Sequence, residues 1–251
     1  TLGHRAEARY CDPDGRFPNH EANPLKEENL RDLQARVLSS GAVLGIAFDG
    51  DADRAIVVDE QGGILPNDFL TALLAREVLK RRPGAAVVYD LRSSWVVREE
   101  ITRAGGLPVR ERVGHSFIKA TMRERKSPFG GELSGHTYWA ENYTADSAMI
   151  AMVRTIDLLR AAGRPLSTLV KPLRRYAGTG EVNFVVEDKD AKIREVEKAF
   201  ADGKIDFLDG ITVEYPDWWF NVRKSNTEPL LRLCLEAKTA ELKEKGLKRV
   251  L

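Results

Sequence analysis

The chain has 251 residues, of which 43% are hydrophobic and 31% charged, an ordinary composition for a globular protein of one to three domains. The net charge of +1 excludes bulk electrostatic attraction to nucleic acid or to an anionic membrane, so any basic site must be local. No apolar run is long enough to cross a bilayer, and the two cysteines form no metal-type spacing, so we expect no membrane association and a reduced, cytoplasmic setting.

The first part of the chain predicts an irregular segment, one helix and two strands. Three prolines among aspartate, asparagine and glycine indicate a long surface loop over residues 1–30. Apolar residues at helical spacing predict a helix over residues 29–40. Short apolar runs on either side of residues 49–54 are typical of two buried strands joined by a connection.

Helix and strand patterns then alternate, which predicts a layered, mainly parallel sheet. A shift in composition near residue 176 marks a smaller α+β unit. The predicted domains are 1–63, 64–175 and 176–251, and the overall class is α/β. The remaining predicted helices are 66–82, 93–104, 115–125, 145–162, 188–201 and the tail from 238, with strands at 85–91, 107–113, 178–187, 211–215 and 230–236.

Residues 49–54, which we call the aspartate loop, carry three carboxylates at alternate positions. Held close together, Asp49, Asp51 and Asp53 repel one another, and a bound cation relieves that repulsion. Carboxylate oxygens suit a hard ion such as Mg²⁺. Arg54 adds a fixed positive charge that can bind phosphate in a bidentate way. A dication beside an arginine is typical of phosphoryl transfer.

Three other interpretations compete for the aspartate loop. Aspartate and glycine are common in turns, so a solvated hairpin is one. An EF-hand would use Glu60 at its twelfth position, but Arg54 stands where glycine is needed and the flanks look like strands. A haloacid-dehalogenase-type phosphatase also has a strand that ends in D-x-D, and it would use Asp49 as nucleophile and Asp51 as acid/base.

Two further segments supply single candidate residues. His115 follows a predicted strand and opens a predicted helix, where free backbone N–H groups favour anions, so it could shuttle a proton or donate to phosphate. Arg92 lies at the end of another strand, where ligands bind in open α/β sheets. Each has an ordinary alternative as a surface residue.

The segment 130–136, which we call the sugar loop, has the sequence G-G-E-L-S-G-H. In extended backbone Glu132, Ser134 and His136 share one face. A carboxylate beside a hydroxyl suits pairing with sugar hydroxyls, and the glycines let a ligand approach closely. A polar β-turn is the alternative.

Residues 221–229, which we call the phosphate segment, concentrate donors for phosphate oxygens. Arg223, Ser225, Asn226 and Thr227 lie within five residues, and the proline at 229 stiffens the exit. The alternative is a solvated hairpin tip.

Taken in order, F-D-G-D-A-D-R, G-H-S, G-E-L-S-G-H and R-K-S-N-T-E-P resemble the α-D-phosphohexomutase family over essentially the whole chain. The phosphomannomutase/phosphoglucomutase branch is the most similar, because Leu133 and Asn226 stand where the phosphoglucosamine mutase branch usually has glutamine and glycine. Arg92 stands where the family often has lysine, and arginine cannot readily lose a proton. The resemblance implies that Asp49, Asp51 and Asp53 bind Mg²⁺ and that Arg54 lies beside the transferring phosphate. It implies that Glu132 and Ser134 bind the sugar hydroxyls, and that His115 and His136 line the cleft, with His115 as a candidate acid/base. The phosphate that does not react would be bound by Arg223, Ser225, Asn226 and Thr227.

The resemblance also implies an architecture and an activity. Family members have four domains, and the first carries a phosphorylated serine in a T/S-A-S-H-N-P-type loop, a context that no serine here has. We therefore expect a C-terminal portion: two layered α/β/α domains, the first incomplete, and a small α+β domain. The intact enzyme would interconvert mannose or glucose 1-phosphate and 6-phosphate through the 1,6-bisphosphate. This chain alone would be inactive: it would either bind sugar phosphate without converting it or have a purely structural role.

Overall fold

The structure, a computed structural model, describes residues 3–12, 14–225 and 228–251. The α-helices are α1 (Arg31–Ser40), α2 (Asn67–Arg81), α3 (Trp95–Arg103), α4 (His115–Arg125), α5 (Ala148–Ala162), α6 (Leu166–Val170), α7 (Lys189–Ala199) and α8 (Ala240–Val250). The strands are β1 (Leu44–Phe48), β2 (Ala55–Asp59), β3 (Ala86–Asp90), β4 (Leu107–Glu111), β5 (Phe129–Gly131), β6 (Thr137–Trp139), β7 (Ala145–Asp146), β8 (Ala177–Val185), β9 (Lys204–Asp206), β10 (Ile211–Glu214), β11 (Trp218–Lys224) and β12 (Leu230–Ala237).

Helix ends follow the local sequence. Helices α3, α5, α7 and α8 each start after a residue whose side-chain oxygen accepts a backbone N–H of the first turn, which satisfies a donor that the helix itself cannot pair. Helix α5 ends at Gly163 with φ 59°, a left-handed cap that glycine adopts without strain. These four N-caps are Ser94, Ser147, Asp188 and Thr239.

The aspartate loop joins the two strands of an antiparallel hairpin. Strands β1 and β2 pair from Leu44↔Asp59 to Phe48↔Ala55, so residues 49–54 form the connection. Both flanks are strands, which excludes the EF-hand interpretation. Val57 of β2 is 1% exposed and belongs to the same apolar cluster as residues of α2, α3 and α5, so the hairpin is anchored to the core of the next unit.

The middle sheet has the order β4-β3-β5-β6-β7 and is mixed, contrary to the mainly parallel sheet that we predicted. Strand β3 pairs in parallel with β4 and β5, whereas β5–β6 and β6–β7 are antiparallel. The short strands β5, β6 and β7 have too few residues to show a period in the sequence. Because β3, β4 and β5 are parallel, their carboxyl ends lie at one edge, where the segments containing Arg92, His115 and the sugar loop begin.

The C-terminal sheet, ordered β8-β12-β11-β10-β9, is antiparallel and has two different faces. One face packs with α7 and α8 around apolar residues such as Phe220 and Leu233. Period-2 alternation places Arg223 and Glu236 on the other face, which contacts the middle unit through Trp95. Strand β11 was not predicted, and it includes the first four residues of the phosphate segment, which is therefore shorter as a loop than expected.

Within the described part of the chain, no helix has both the length and the apolar character needed to cross a bilayer.

Candidate active site

The aspartate loop is held in shape by Asp49, the first of its three carboxylates. Its Oδ1 accepts the backbone N–H groups of Asp53 and Arg54, both at 3.1 Å, and its Oδ2 accepts Arg54 Nε at 2.6 Å. Burial alone would raise the pKa of Asp49, but the hydrogen bonds from Arg54 outweigh it and hold that pKa below its usual value. Asp49 is therefore an ionised carboxylate that also orients the Arg54 guanidinium.

The three aspartates fit a hard cation. Each offers an oxygen, and these atoms lie within 4.8 Å of one another. Asp53 Oδ1 is buried and accepts no hydrogen bond from the described residues. Burial raises the pKa of Asp53, and the charges of Asp49 and Asp51 add to that rise, against an opposing effect of His136. A buried, unsatisfied acceptor among repelling carboxylates is the environment that a divalent ion with oxygen ligands stabilises.

A second group of potential ligands shares Asp53, but it is already neutralised in part. Asp53, His136 and Asp146 also approach within 4.8 Å. Lys119 Nζ donates to Asp146 Oδ1 at 2.9 Å, so the positive charge of the lysine already offsets the charge of that carboxylate. The three aspartates of the aspartate loop are therefore the better metal candidate.

The sugar loop is a chain of hydrogen bonds built on Glu132, which is 4% exposed. Its Oε1 accepts the Tyr138 hydroxyl at 2.6 Å and its Oε2 accepts the Ser134 hydroxyl at 2.8 Å. Ser134 Oγ also lies 2.8 Å from His136 Nδ1. Since the single Ser134 proton goes to the carboxylate, Nδ1 of His136 must be the donor of that second bond. The three side chains share one network, but they lie on a β-turn in which Gly135 N donates to Glu132 O at 3.1 Å, so the β-turn alternative describes this backbone and the extended segment does not.

The sugar loop and the aspartate loop are in direct contact. Arg54 and His136 form an isolated antiparallel bridge, and Ala55 N donates to Gly135 O at 3.4 Å. His136 Nε2 lies 3.4 Å from Asp53 Oδ1. The structure therefore brings the predicted metal ligands and the predicted sugar-binding residues into one site.

Asp90, at the carboxyl end of β3, links the sugar loop to Arg92. Asp90 is fully buried; its Oδ1 accepts Arg92 N at 2.8 Å, and its Oδ2 accepts Arg92 Nη2 and Leu133 N, both at 2.7 Å. The Arg92 side chain is 8% exposed and reaches Glu181 of β8 at 3.3 Å. The pKa of Arg92 is raised: burial opposes its charge, but Asp90 and Glu181 outweigh that effect.

Arg223 lies on the same face of the C-terminal sheet as Glu181, and its side chain is 2% exposed. Its Nη2 donates to Glu181 Oε2 at 2.8 Å. The backbone N–H of Ser225 donates to Leu230 O, and Ser225 Oγ accepts Glu228 N at 3.1 Å. Asn226 and Thr227, also predicted to bind phosphate, lie outside the described residues.

His115 stands apart from this network. It is the first residue of α4, follows Gly114 at φ 134°, and is exposed. Its ring makes no hydrogen bond or ion pair with any residue in the described ranges. Its segment nevertheless begins at the same sheet edge as Arg92 and the sugar loop.

Sequence reasoning missed three residues that build the site: Asp90, Tyr138 and Glu181. Asp90 stood in a segment already singled out for Arg92, so a buried strand that ends in aspartate was an available signal. Tyr138 lies two residues beyond the sugar loop on β6. Glu181 has no local signal, because only the pairing of β8 with β12 brings it to the arginines.

Three family models match the chain in succession. The phosphoglucomutase/phosphomannomutase alpha/beta/alpha domain II matches residues 2–63, alpha/beta/alpha domain III matches 66–176, and the C-terminal domain matches 181–251. The chain belongs to the phosphoglucomutase/phosphomannomutase family. This membership confirms the resemblance and the class of layered α/β units followed by a small C-terminal domain.

Relatives of known name agree with this family. The chain is 44% identical over 225 residues to a phosphomannomutase of Methanocaldococcus jannaschii, covering 90% of this chain and 50% of the relative. It is 42% identical over 233 residues to the phosphohexose mutases of Xanthomonas campestris, covering 91% and 52%. The crystal structure of a phosphoglucomutase/phosphomannomutase family protein from Burkholderia thailandensis is similar with a TM-score of 0.86 and 35% identity, over 95% of this chain and 52% of that one. The chain thus spans about half the length of the family relatives it matches.

Proposed function

We propose that these 251 residues are the metal-binding and sugar-phosphate-binding part of a phosphohexomutase that interconverts the 1- and 6-phosphates of mannose or glucose through a 1,6-bisphosphate. The observation that carries the proposal is the continuity of the site. The aspartate loop contacts the sugar loop, Asp90 ties the sugar loop to Arg92, and Glu181 ties Arg92 to Arg223. Relatives named phosphomannomutase support the substrate class.

At one end of the site, the aspartate loop provides charges that can stabilise a phosphoryl group during its transfer. Mg²⁺ bound by Asp49, Asp51 and Asp53 would offset negative charge on that group. Arg54 donates from Nε to Asp49, and its two Nη groups, which make no hydrogen bond to the described residues, can donate to phosphate oxygens. Positioning and electrostatic stabilisation then supply most of the catalysis.

At the other end, the sugar and the unreacting phosphate are held. Glu132 keeps spare lone pairs after its two bonds and can accept sugar hydroxyls, with Ser134 beside it. Arg223, with Ser225 and the neighbouring Asn226 and Thr227, would hold the phosphate. His115 remains our candidate for acid/base work at the rim. Because every carboxylate that orients Arg92 also stabilises its charge, we assign Arg92 an electrostatic role.

The 251 residues contain no serine in the phosphoryl-donor context, so we propose that this chain alone binds sugar phosphate without turning it over. The haloacid-dehalogenase alternative is disfavoured by the family membership. A cytoplasmic location and the absence of a nucleic-acid partner stay predictions.

Calorimetric titration of the chain with glucose 1,6-bisphosphate in the presence of Mg²⁺ tests this proposal. We expect saturable binding, together with no turnover of glucose 1-phosphate above contaminant level in a coupled assay. Arg223→Lys, which keeps the charge but removes the two-pronged donor, should weaken binding roughly tenfold. Arg160→Lys, on the exposed surface of α5, is the matched control. Absence of binding, turnover by the chain alone, or phosphate release that depends on Asp49 would overturn the assignment.

A further inference from the structure

Two arginines of the C-terminal sheet face each other directly. Arg223 on β11 and Arg232 on β12 are cross-strand partners, so their side chains leave the same face of the sheet. Like charges directly opposite are destabilising, and here the two side chains are only 2% and 19% exposed, which limits screening by water. Such an arrangement requires an anion between or beside the two guanidinium groups.

Glu181 on β8 is that anion. Its Oε2 accepts Arg223 Nη2 at 2.8 Å and its Oε1 accepts Arg232 Nη1 at 2.7 Å. Burial would raise the pKa of Glu181, but the charges of Arg92 and Arg223 outweigh that effect and hold the pKa below its usual value. The carboxylate is therefore ionised at neutral pH.

The same carboxylate also reaches across to the middle unit. Arg92, which follows β3, donates from Nη1 to Glu181 Oε2 at 3.3 Å, the oxygen that Arg223 also uses. Two guanidinium groups from different sheets therefore converge on one oxygen atom. Without that oxygen, their mutual repulsion in a mostly buried setting would drive them apart.

The remaining contacts of Arg223 do not fix its direction. Its Nη1 makes one long bond of 3.4 Å to Lys224 O, and its buried Nε has no hydrogen-bond partner among the described residues. Among the described residues, the only charge-assisted hydrogen bond of its guanidinium is the one that it donates to Glu181. Bidentate recognition of phosphate depends on the orientation of the guanidinium plane, so whatever sets that orientation controls binding.

We propose that Glu181 is a positioning residue that aims Arg223 at the phosphate and joins it to Arg92 across the two units. This inference rests on the proposed function, because it assumes that Arg223 binds phosphate. Glu181 acts through the two arginines and need not touch the sugar phosphate itself.

A double-mutant cycle on the affinity for glucose 1,6-bisphosphate tests the proposal. Glu181→Gln preserves shape but leaves one acceptor for three guanidinium groups, so we expect affinity to fall about tenfold, within the range of couplings between contacting residues. In an Arg223→Lys background the same change should cost at most about twofold, since the residue it positions is already altered. Glu187→Gln, an equal charge change at an exposed position two residues beyond the end of β8, should bind like the wild type.

The outcomes separate the two proposals. Unchanged or tighter binding by Glu181→Gln would overturn the positioning role, since Glu181 would then merely occupy a place that phosphate competes for. Equal losses in both backgrounds would overturn it as well. If Arg223→Lys itself binds normally, the phosphate site and hence the proposed function fail instead. Should Glu181→Gln not fold, Glu181→Asp retains the charge, and normal binding by that variant would contradict the proposal. Mg²⁺ affinity, measured in parallel, should stay constant in every variant.

Discussion

Asp51→Asn is expected to weaken Mg²⁺ binding by about a hundredfold while the fold stays intact, because ligand charge strongly tunes the affinity of oxygen sites for divalent cations. Asp51 is exposed, and its side chain has no hydrogen bond within the described ranges. Its loss should change the free energy of unfolding by no more than about 0.5 kcal/mol. Asp49→Asn would be a poorer test, since Asp49 also holds Arg54 and the turn.

Calorimetric titration with Mg²⁺ measures this change directly, and the rise in thermal midpoint on adding Mg²⁺ gives a second readout. Asp157→Asn, the same charge change at an exposed position on α5, is the matched control and should leave the affinity for Mg²⁺ unaltered. Equal Mg²⁺ affinity in Asp51→Asn and wild type would mean that the aspartate loop is not the metal site.

Asp90→Asn is expected to lower the free energy of unfolding by about 3–5 kcal/mol, the cost of breaking a buried ion pair. Asp90 is 0% exposed and accepts Arg92 N, Arg92 Nη2 and Leu133 N. An amide at this position can accept on one side only, so its NH₂ group would face donors, and Arg92 would keep a single carboxylate partner. Both the sugar loop and Arg92 would lose their support.

Thermal unfolding followed by circular dichroism measures the effect, and the midpoint should fall by roughly 10 °C for a chain of this size. Asp157→Asn again provides the control, with a change within about 0.5 kcal/mol. A midpoint for Asp90→Asn within about 2 °C of the wild type would show that Asp90 does not support Arg92 and the sugar loop in solution.

What the sequence predicted well was local. The aspartate loop, with apolar runs on both sides, predicted the β1–β2 hairpin and the convergence of its carboxylates, because a short connection leaves the chain little freedom. Alternation in the sugar loop was a weaker guide, because Glu132, Ser134 and His136 share one network on a β-turn and not on the extended backbone from which we predicted a shared face. In both segments the side chains that interact are only a few residues apart in the sequence.

What the sequence did not predict depends on pairing between distant segments. Glu181 lies 42 residues from Arg223 and 51 from Arg232, and only the register of β8, β12 and β11 makes them neighbours. The mixed middle sheet was missed for a related reason, since β5 and β6 have three residues each and are defined by their partners. The contacts that unify the site are tertiary.

The most direct test of the account is a two-dimensional ¹H–¹⁵N NMR titration of the 28.1 kDa chain with glucose 1,6-bisphosphate in the presence of Mg²⁺. We predict that amide signals of Arg54 in the aspartate loop, Leu133 and Gly135 in the sugar loop, and Lys224 in the phosphate segment all shift along one binding curve with one Kd. Shifts confined to a single segment, or different Kd values for the three, would contradict the claim that these segments form one sugar-phosphate site.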